Sequence, residues 1–283
     1  MSHATEYTFL VFRCAIIYTR KIIVMNIVTG AGGFIGRHFV RSLENVLEID
    51  LDNCEEFIEK FNRWDEVDMI IHQGALSSTT NKDLGMIHKY NIDYSIKLFE
   101  KAIEYSIPVK YASSASVYGN QQGIINPLNY YALSKATVDY WVLDNIERFV
   151  HIQGFRYFNV YGSGEYHKGT MASLVSQFQW QSSVGVIHPF EGSDQIYRDY
   201  VWVGDLVNVV LSNTAGSGIY DLGTGSPITI DTVAQLVSLK TGCQSTQIPF
   251  PPPLKGKYQY YTIADMKWLK DYKFKTVKEY LQV

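Results

Sequence analysis

The chain has few cysteines, no long apolar run and no surplus of basic charge, and each of these absences removes a class of protein. Cysteine occurs three times in 283 residues, at Cys14, Cys54 and Cys243. So sparse and scattered a set forms neither a disulfide framework nor a Cys-x-x-Cys redox or zinc motif, and it fits a reducing compartment. Lys and Arg number 25 against 28 Asp and Glu, a net charge of −3. Without a basic excess there is no general grip on nucleic acid, so any bound phosphate has to be held by local groups. Between Thr8 and Val24 apolar residues are dense, but Arg13, Arg20 and Lys21 interrupt them, and no stretch is long enough to span a bilayer. That stretch also lacks a clean apolar core followed by a small-residue cleavage signal, which makes a secretory leader a poor reading. There is no Gly-x-x-x-x-Gly-Lys-Ser/Thr loop for a nucleoside triphosphate. No metal-ligand spacing is present, and His72, His151 and His188, in or beside apolar segments, read as packed or loop histidines.

What the chain does have is alternation. Hydrophobic residues make up 46% and charged residues 19%, enough to bury a core of one or two domains. Asn26–Thr29 is a short apolar run, and Ile35, Phe39, Val40 and Leu43 then recur with helical spacing. Val46–Asp50 reads as a strand, Phe57, Ile58 and Phe61 as one face of a short helix, and Val67–His72 as a buried strand. A long helical segment from Met86 to Tyr105, a strand Val109–Ser113, a helix Tyr130–Arg148 and a strand Val150–Arg156 continue the series. Such a series predicts a Rossmann-like, doubly wound parallel sheet covered on both faces. Past Asn159 the pattern breaks up, and four prolines crowd Pro249–Pro253. We expect residues 1–24 to be a dispensable extension with Met25 as the functional start, and residues 25–160 to form a dinucleotide-binding domain. Residues 161–283 are expected to form mainly a smaller substrate lobe, with some segments returning to the sheet.

Gly30-Ala-Gly-Gly33-Phe-Ile-Gly36 follows a strand and opens a helix. That is the setting of a dinucleotide fingerprint: Gly30 for the tight turn, Gly33 for backbone approach to a diphosphate, and Gly36 for helix–strand packing. The helix start supplies N–H groups and a partial positive charge. Downstream, Asp50 ends the second strand, where a carboxylate accepts ribose hydroxyls and repels a 2′-phosphate; Asp52 competes for that role. Tyr131 and Lys135 share one helix face at i and i+4. A phenol is a poor base at neutrality, and an adjacent ammonium is expected to lower its pKa. Ser114 closes a strand, where ligand-facing loops emerge. Alone, Tyr-x-x-x-Lys is most often a helix surface; with the glycine loop and the serine strand end, in this order, it is specific.

In that combination the chain resembles the extended short-chain dehydrogenase/reductase family of nucleotide-sugar epimerases and dehydratases. Further segments resemble its ADP-L-glycero-D-manno-heptose 6-epimerases: Gly74-Ala-Leu-Ser-Ser-Thr-Thr80, Gly154-Phe-Arg-Tyr-Phe-Asn-Val-Tyr-Gly162, His167-Lys-Gly-Thr170, Phe190-Glu-Gly-Ser193, Arg198-Asp-Tyr-Val201, Leu222-Gly-Thr-Gly225 and Leu254-Lys-Gly-Lys-Tyr-Gln259. The resemblance implies hydride removal from C6 of the heptose and its return to the opposite face. Tyr131 would be the acid–base group on one side and Lys168 on the other, with Lys135 assisting and Ser114 polarising the carbonyl. By its residues alone, Lys168 reads as a solvated loop lysine.

The same resemblance implies that the cofactor touches Phe34, Ile35, Gly74, Ala75, Leu76, Ser77, Asn91 and Val160 besides the glycine loop, Asp50, Tyr131, Lys135 and Lys168. The substrate would touch Ser114, Asn159, Thr170, Phe190, Glu191, Gly192, Ser193, Arg198 and Tyr258, with Arg198 on its diphosphate. For Arg198 the alternative is a surface ion pair with Asp194 or Asp199. A cytoplasmic homo-oligomer acting on a precursor of a surface glycan is implied, with no nucleic acid, metal or membrane span. Another nucleotide-sugar epimerase or reductase, or a dinucleotide sensor without chemistry, are the competing readings.

Departures from the family pattern are local. The stretch after Asp50 is short, so one edge strand is expected to be missing, and the basic residues that would meet an NADP phosphate go with it. Gln177 stands where the family has histidine. The residues favour NAD and the resemblance favours NADP. NADP is the expectation, with NAD as the alternative; of Arg37 and Arg41 on the first helix, Arg37 directly follows Gly36 and either supplies the cation NADP would need or faces solvent.

Overall fold

The computed structural model describes residues 24–121, 123–252, 256 and 258–283. The extension that precedes Val24 and part of the Leu254–Gln259 segment therefore lie outside the described residues.

In chain order the first half runs β1 (Met25–Thr29), α1 (Gly36–Ser42), β2 (Val46–Ile49), α2 (Cys54–Lys60), β3 (Val67–His72), α3 (Leu84–Ile87), a π turn (His88–Asp93), α4 (Tyr94–Glu104), β4 (Val109–Ser114), α5 (Tyr130–Asn145) and β5 (Ile152–Tyr157). The second half is made of shorter pieces: β6 (Asn159–Tyr161), α6 (Leu174–Ser183), β7 (Val186–Ile187), β8 (Tyr197–Arg198), β9 (Tyr200–Trp202), α7 (Val203–Ser212), β10 (Gly218–Leu222), β11 (Ile228–Thr229), α8 (Ile230–Thr241), β12 (Gln244–Ser245) and α9 (Val277–Leu281).

Six strands form one parallel sheet in the order β10-β5-β4-β3-β1-β2. This is the expected α/β fold. Among the described residues β2 is the edge, with no strand beyond it, as the short stretch after Asp50 implies. Both faces of the sheet are buried, which is why its strands read as continuous apolar runs. Successive residues serve opposite faces. Ile27, Ile70 and Tyr111 pack with Leu98, Phe99 and Val142 of α4 and α5. Val28, Ile71 and Ala112 pack with Phe39 of α1 and Leu206 and Val210 of α7.

The C-terminal region has its own core of Val175, Phe178, Ile187, Ile230, Val233 and Leu281. Its helices begin on side-chain caps: Ser173 for α6, Thr229 for α8 and a Thr276–Glu279 capping box for α9. The chain returns from this region to the sheet, where α7 covers one face and β10 supplies the last strand. The helix expected from Met86 to Tyr105 is interrupted by the π turn, whose widened backbone carries Asn91.

Candidate active site

Helix connections leave β1 and β3 toward opposite faces of the sheet, and ligands of open α/β sheets bind above such a switch point. A cleft of about 610 Å³ lies there, at the carboxyl ends of β1, β3, β4 and β5. Its first wall is the glycine loop. Gly30 has φ +65°, and a Cβ on it would stand 2.7 Å from the Gly74 nitrogen. A Cβ on Gly36 would meet the Gly30 carbonyl oxygen at 1.9 Å, so α1 can approach β1 this closely only without a side chain. Gly33, Phe34 and Ile35 complete this wall.

Asp50 lines the cleft at the end of β2, and Asp52 does not. One Asp50 oxygen accepts from the Gly32 N–H at 2.9 Å, which fixes the carboxylate and leaves Oδ1 for a ligand. Arg37 does not supply the cation an NADP phosphate would need. Its guanidinium donates to the carbonyls of Gly32 at 2.5 Å and Gly33 at 3.2 Å, closing the back of the loop instead of facing the cleft. Arg41 is exposed on α1 and also lies outside the cleft.

The second wall is Gly74-Ala75-Leu76-Ser77. Gly74 N–H donates to Thr29 Oγ1 at 3.1 Å. Asn91, expected to touch cofactor, does not line the cleft. It is buried behind this wall, where its amide accepts from Leu76 N–H at 2.7 Å and donates to Leu76 O at 3.1 Å.

At the floor, Ser114 ends β4 and Tyr131 sits in the first turn of α5, both lining the cleft, and Ser114 Oγ accepts from Ser116 Oγ at 2.8 Å. Asn129 caps α5 by accepting from Ala132 N–H, which holds Tyr131 in the first turn. The phenol does not behave as the sequence suggests. Desolvation pushes it above its ordinary value, the neighbouring Ser114 hydroxyl partly offsets this, and the Asp139 carboxylate adds to the rise. Lys135 Nζ is turned to the Ala112 carbonyl at 2.7 Å, and burial pushes its amine down to about 8 against the pull of Asp139. Asp139 in turn accepts from Tyr111, Ser113 and Arg156 at 2.9 to 3.0 Å. Gly154 leaves the space for that tyrosine, since a Cβ there would fall 2.3 Å from the Tyr111 ring.

Lys168 lines the cleft from the glycine-loop side, its Nζ 5.0 Å from the centre of the Phe34 ring and 3.5 Å from the buried Glu165 carboxylate. Gln177 braces the turn that carries it, donating to Ala172 O at 2.7 Å. His72 is packed, as expected. Burial and the nearby Lys135 charge push it down to about 3, so it is neutral at ordinary pH.

A family model described as "NAD dependent epimerase/dehydratase family" matches residues 26–216. The chain belongs to that family. Among solved structures it is similar to the Helicobacter pylori ADP-L-glycero-D-manno-heptose-6-epimerase (22% identity, TM-score 0.77, covering 92% of this chain and 95% of that one). It is also similar to a UDP-N-acetylglucosamine 4-epimerase from Methanobrevibacter ruminantium in complex with UDP-N-acetylmuramic acid (21%, TM-score 0.76, 92% and 97%). A third is the Thermus thermophilus UDP-glucose 4-epimerase in complex with NAD (22%, TM-score 0.72, 92% and 98%). At these identities the likeness is one of fold. Among the described residues no helix is long and apolar enough to cross a membrane.

The family's glycine loop, serine, tyrosine and lysine thus meet in one cleft, with Val160 and Lys168. Of the residues expected to touch substrate, only Ser114 lines it. Asn159 donates to Asp199 O and Thr262 Oγ1, and the Thr170 carbonyl accepts from Gln177. Phe190, Ser193, Arg198 and Tyr258 belong to the C-terminal region, where Phe190 meets Phe250 and Phe250 meets Tyr258. Glu191 and Gly192 are exposed on the same loop. Arg198 is buried, its guanidinium 4.6 Å from the Tyr258 ring centre and donating to Tyr197 O. Neither carboxylate proposed as its ion-pair partner takes it. Asp199 accepts from Thr224, Gly225 and Ala264, and Asp194 from Gln195.

The sequence reading missed Gln73, Tyr157, Tyr94, Cys54 and His167, all of which line the cleft. Gln73 directly follows β3 and Tyr157 ends β5; the rule that ligands meet strand carboxyl ends would have found both.

Proposed function

We propose that the chain is a nucleotide-sugar epimerase that uses NAD, inverting one carbinol carbon through a transient ketone. The observation that carries this reading is the meeting of Ser114, Tyr131 and Lys135 in the cleft whose wall is the glycine loop. The cleft suits a dinucleotide on independent grounds. Its loop is a cradle that a Cβ at Gly30 or Gly36 would fill. Gln73, Tyr94 and Tyr157 line it with buried polar atoms that have no hydrogen-bond partner of good geometry among the described residues. Such groups are costly unless a ligand meets them.

The N–H groups of Phe34, Ile35 and Gly36, where the glycine loop enters α1, would hold the diphosphate. Asp50 Oδ1 would accept from the adenosine ribose and repel a 2′-phosphate, and Arg37 is turned to the Gly32 and Gly33 carbonyls, which supports NAD in place of the expected NADP. When bound, NAD accepts and returns hydride at the sugar carbon. The chain's own residues move the protons. Tyr131 Oη, as the phenolate once its own proton has left to solvent, would take the hydroxyl proton and later return one, and Ser114 Oγ would donate to the reacting oxygen. Lys135 holds positive charge beneath them. Lys168, on the glycine-loop side, is proposed to exchange the proton when the opposite sugar face is presented.

Arg198 is proposed to hold the substrate diphosphate by its planar guanidinium. ADP-D-glycero-D-manno-heptose is the first substrate to try, on the segments shared with that group of epimerases. The test is to denature purified protein and weigh the released cofactor, then to incubate the native protein with that sugar and resolve the C6 epimers. Recovery of NAD with both epimers is expected. An unchanged ADP-heptose beside an epimerised UDP-hexose would reassign the substrate, and a protein that holds no dinucleotide would overturn the reading.

A further inference from the structure

Behind the cleft lies a chain of hydrogen bonds whose direction can be worked out atom by atom. Gly74 N–H donates to Thr29 Oγ1. Thr29 Oγ1 is 2.6 Å from His72 Nδ1, and His72 Nε2 is 2.8 Å from Ser95 Oγ. Ser95 Oγ donates to the Asn91 carbonyl at 2.8 Å. Both ends have fixed polarity, since a backbone N–H only donates and a carbonyl only accepts. The single Ser95 proton goes to Asn91 O, so toward His72 that oxygen can only accept, and Nε2 must carry the ring proton. Nδ1 is then bare and accepts from Thr29, whose lone pair is thereby free for Gly74. No other arrangement satisfies every group.

The same Asn91 side chain continues the connection. Its amide clasps Leu76 and donates to Ser134 Oγ at 3.0 Å, and Ser134 Oγ donates to the Tyr131 carbonyl at 2.8 Å. Thr29, His72, Ser95, Asn91 and Ser134 are all 2% exposed or less, so no water substitutes for a missing link. The path begins on the strand that feeds the glycine loop and ends on the helix turn that carries Tyr131.

We propose that His72 is a positioning residue. In its Nε2–H form it completes a one-directional bridge that sets the Gly74–Leu76 wall, and through Asn91 the Tyr131 helix, at a fixed distance from the glycine loop. The role rests on reading the cleft as the dinucleotide site. Imidazole suits the place because its two nitrogens point to opposite sides, one accepting and one donating, while its faces pack on Tyr94 and Phe99.

The test has two readouts. In the first, ¹⁵N-histidine NMR of the wild-type protein, with His72 assigned from His72→Gln, should show the Nε2–H tautomer. An Nδ1–H or doubly protonated ring overturns the proposal whatever the protein binds. In the second, NAD affinity is measured for Thr29→Val, Ser95→Ala and the double variant. Each single change should weaken binding about 5- to 10-fold, and the double should be no more than about twofold worse than the poorer single, because one bridge is broken either way. Thr29→Ser, which restores the hydroxyl, should recover the wild-type value and separates lost bonding from misfolding. Additive losses, or singles that bind NAD like the wild type, overturn the proposal. Wild-type protein that binds no NAD overturns the dinucleotide reading, and the tautomer result then tests the bridge on its own.

Discussion

The cleft above β1 and β3 and the Arg198 cluster of the C-terminal region are built by different means. Cleft walls are largely backbone, held in place by the sheet: Gly30 N–H on the Ile49 carbonyl, Gly32 N–H on Asp50, Gly74 N–H on Thr29. The Arg198 cluster is made of side chains on short strands and loops, with Phe190, Phe250 and Tyr258 stacked at their edges and one buried guanidinium among them. Backbone geometry tolerates few sequences, whereas aromatic packing tolerates many. The first region should therefore fix chemistry and cofactor, and the second should fix which sugar nucleotide is taken. Variants in the two regions should fail in different ways.

The largest effect is expected from Tyr131→Phe. The ring keeps its packing and loses only its hydroxyl at the cleft floor. Turnover should fall by about 10²- to 10⁴-fold, the usual worth of a positioned acid–base group, while bound NAD is retained. Steady-state rates and the mass of the released cofactor check both halves. Near-normal turnover would remove Tyr131 from the mechanism and with it the contrast.

Arg198→Met should do the reverse. It keeps the apolar stem against Tyr258 and removes the charge. KM for the sugar nucleotide should rise about 10- to 100-fold, the range for losing hydrogen bonds to a charged group, with NAD affinity unchanged. Loss of NAD binding in this variant would mean that the two regions form one cofactor site.

The same contrast explains what the sequence reveals. The β3 strand and the 130–145 helix are readable because burial imposes a period on their residues. Gly30, Gly36 and Ser114 are readable because steric contact or strand-end geometry dictates each one. Asn91 sits behind the cleft wall and not on it because the π turn carries it against Leu76, which no sequence period shows. The direction of Arg37 is left open by the sequence because adjacency says nothing of orientation, and here the side chain folds back onto the Gly32 and Gly33 carbonyls. The balance at Tyr131 is misjudged because the i,i+4 spacing reports that Lys135 is near but not that its amine is engaged by Ala112 O. The C-terminal region gives little away, since β7, β8, β11 and β12 have two residues each, too few to show any period.

A smaller effect is expected from Asp50→Asn. The amide loses the charged acceptor that faces the ribose, so NAD should bind about tenfold more weakly, and discrimination against NADP should shrink as the repulsion is removed. Titration with both cofactors measures the ratio. A wild-type protein that prefers NADP would show that a cation outside the cleft wall reaches the 2′-phosphate.

The smallest effect is a dependence on pH. Burial pushes Lys135 down to about 8, so the ammonium beneath Tyr131 is present below that pH and lost above it. If the charge is needed, turnover falls as pH rises, by about fourfold at pH 8.5 relative to the neutral plateau. Stability should move the other way. An unfolded lysine titrates near 10.4, so between about pH 8 and 10 the unfolded chain binds more protons than the native one, and raising the pH favours the native state by about 1 kcal/mol per unit. The buried phenols of Tyr111 and Tyr157, pushed up by desolvation, oppose this gain only once unfolded tyrosines begin to ionise near pH 10. Urea titrations and initial rates at pH 7.5, 8.5 and 9.5 should therefore show falling turnover beside rising stability, with the fall in turnover absent in Lys135→Met and the rise in stability reduced to the part due to Lys110, whose amine burial also pushes down. Parallel loss of rate and stability in that range would place the titrating group outside α5.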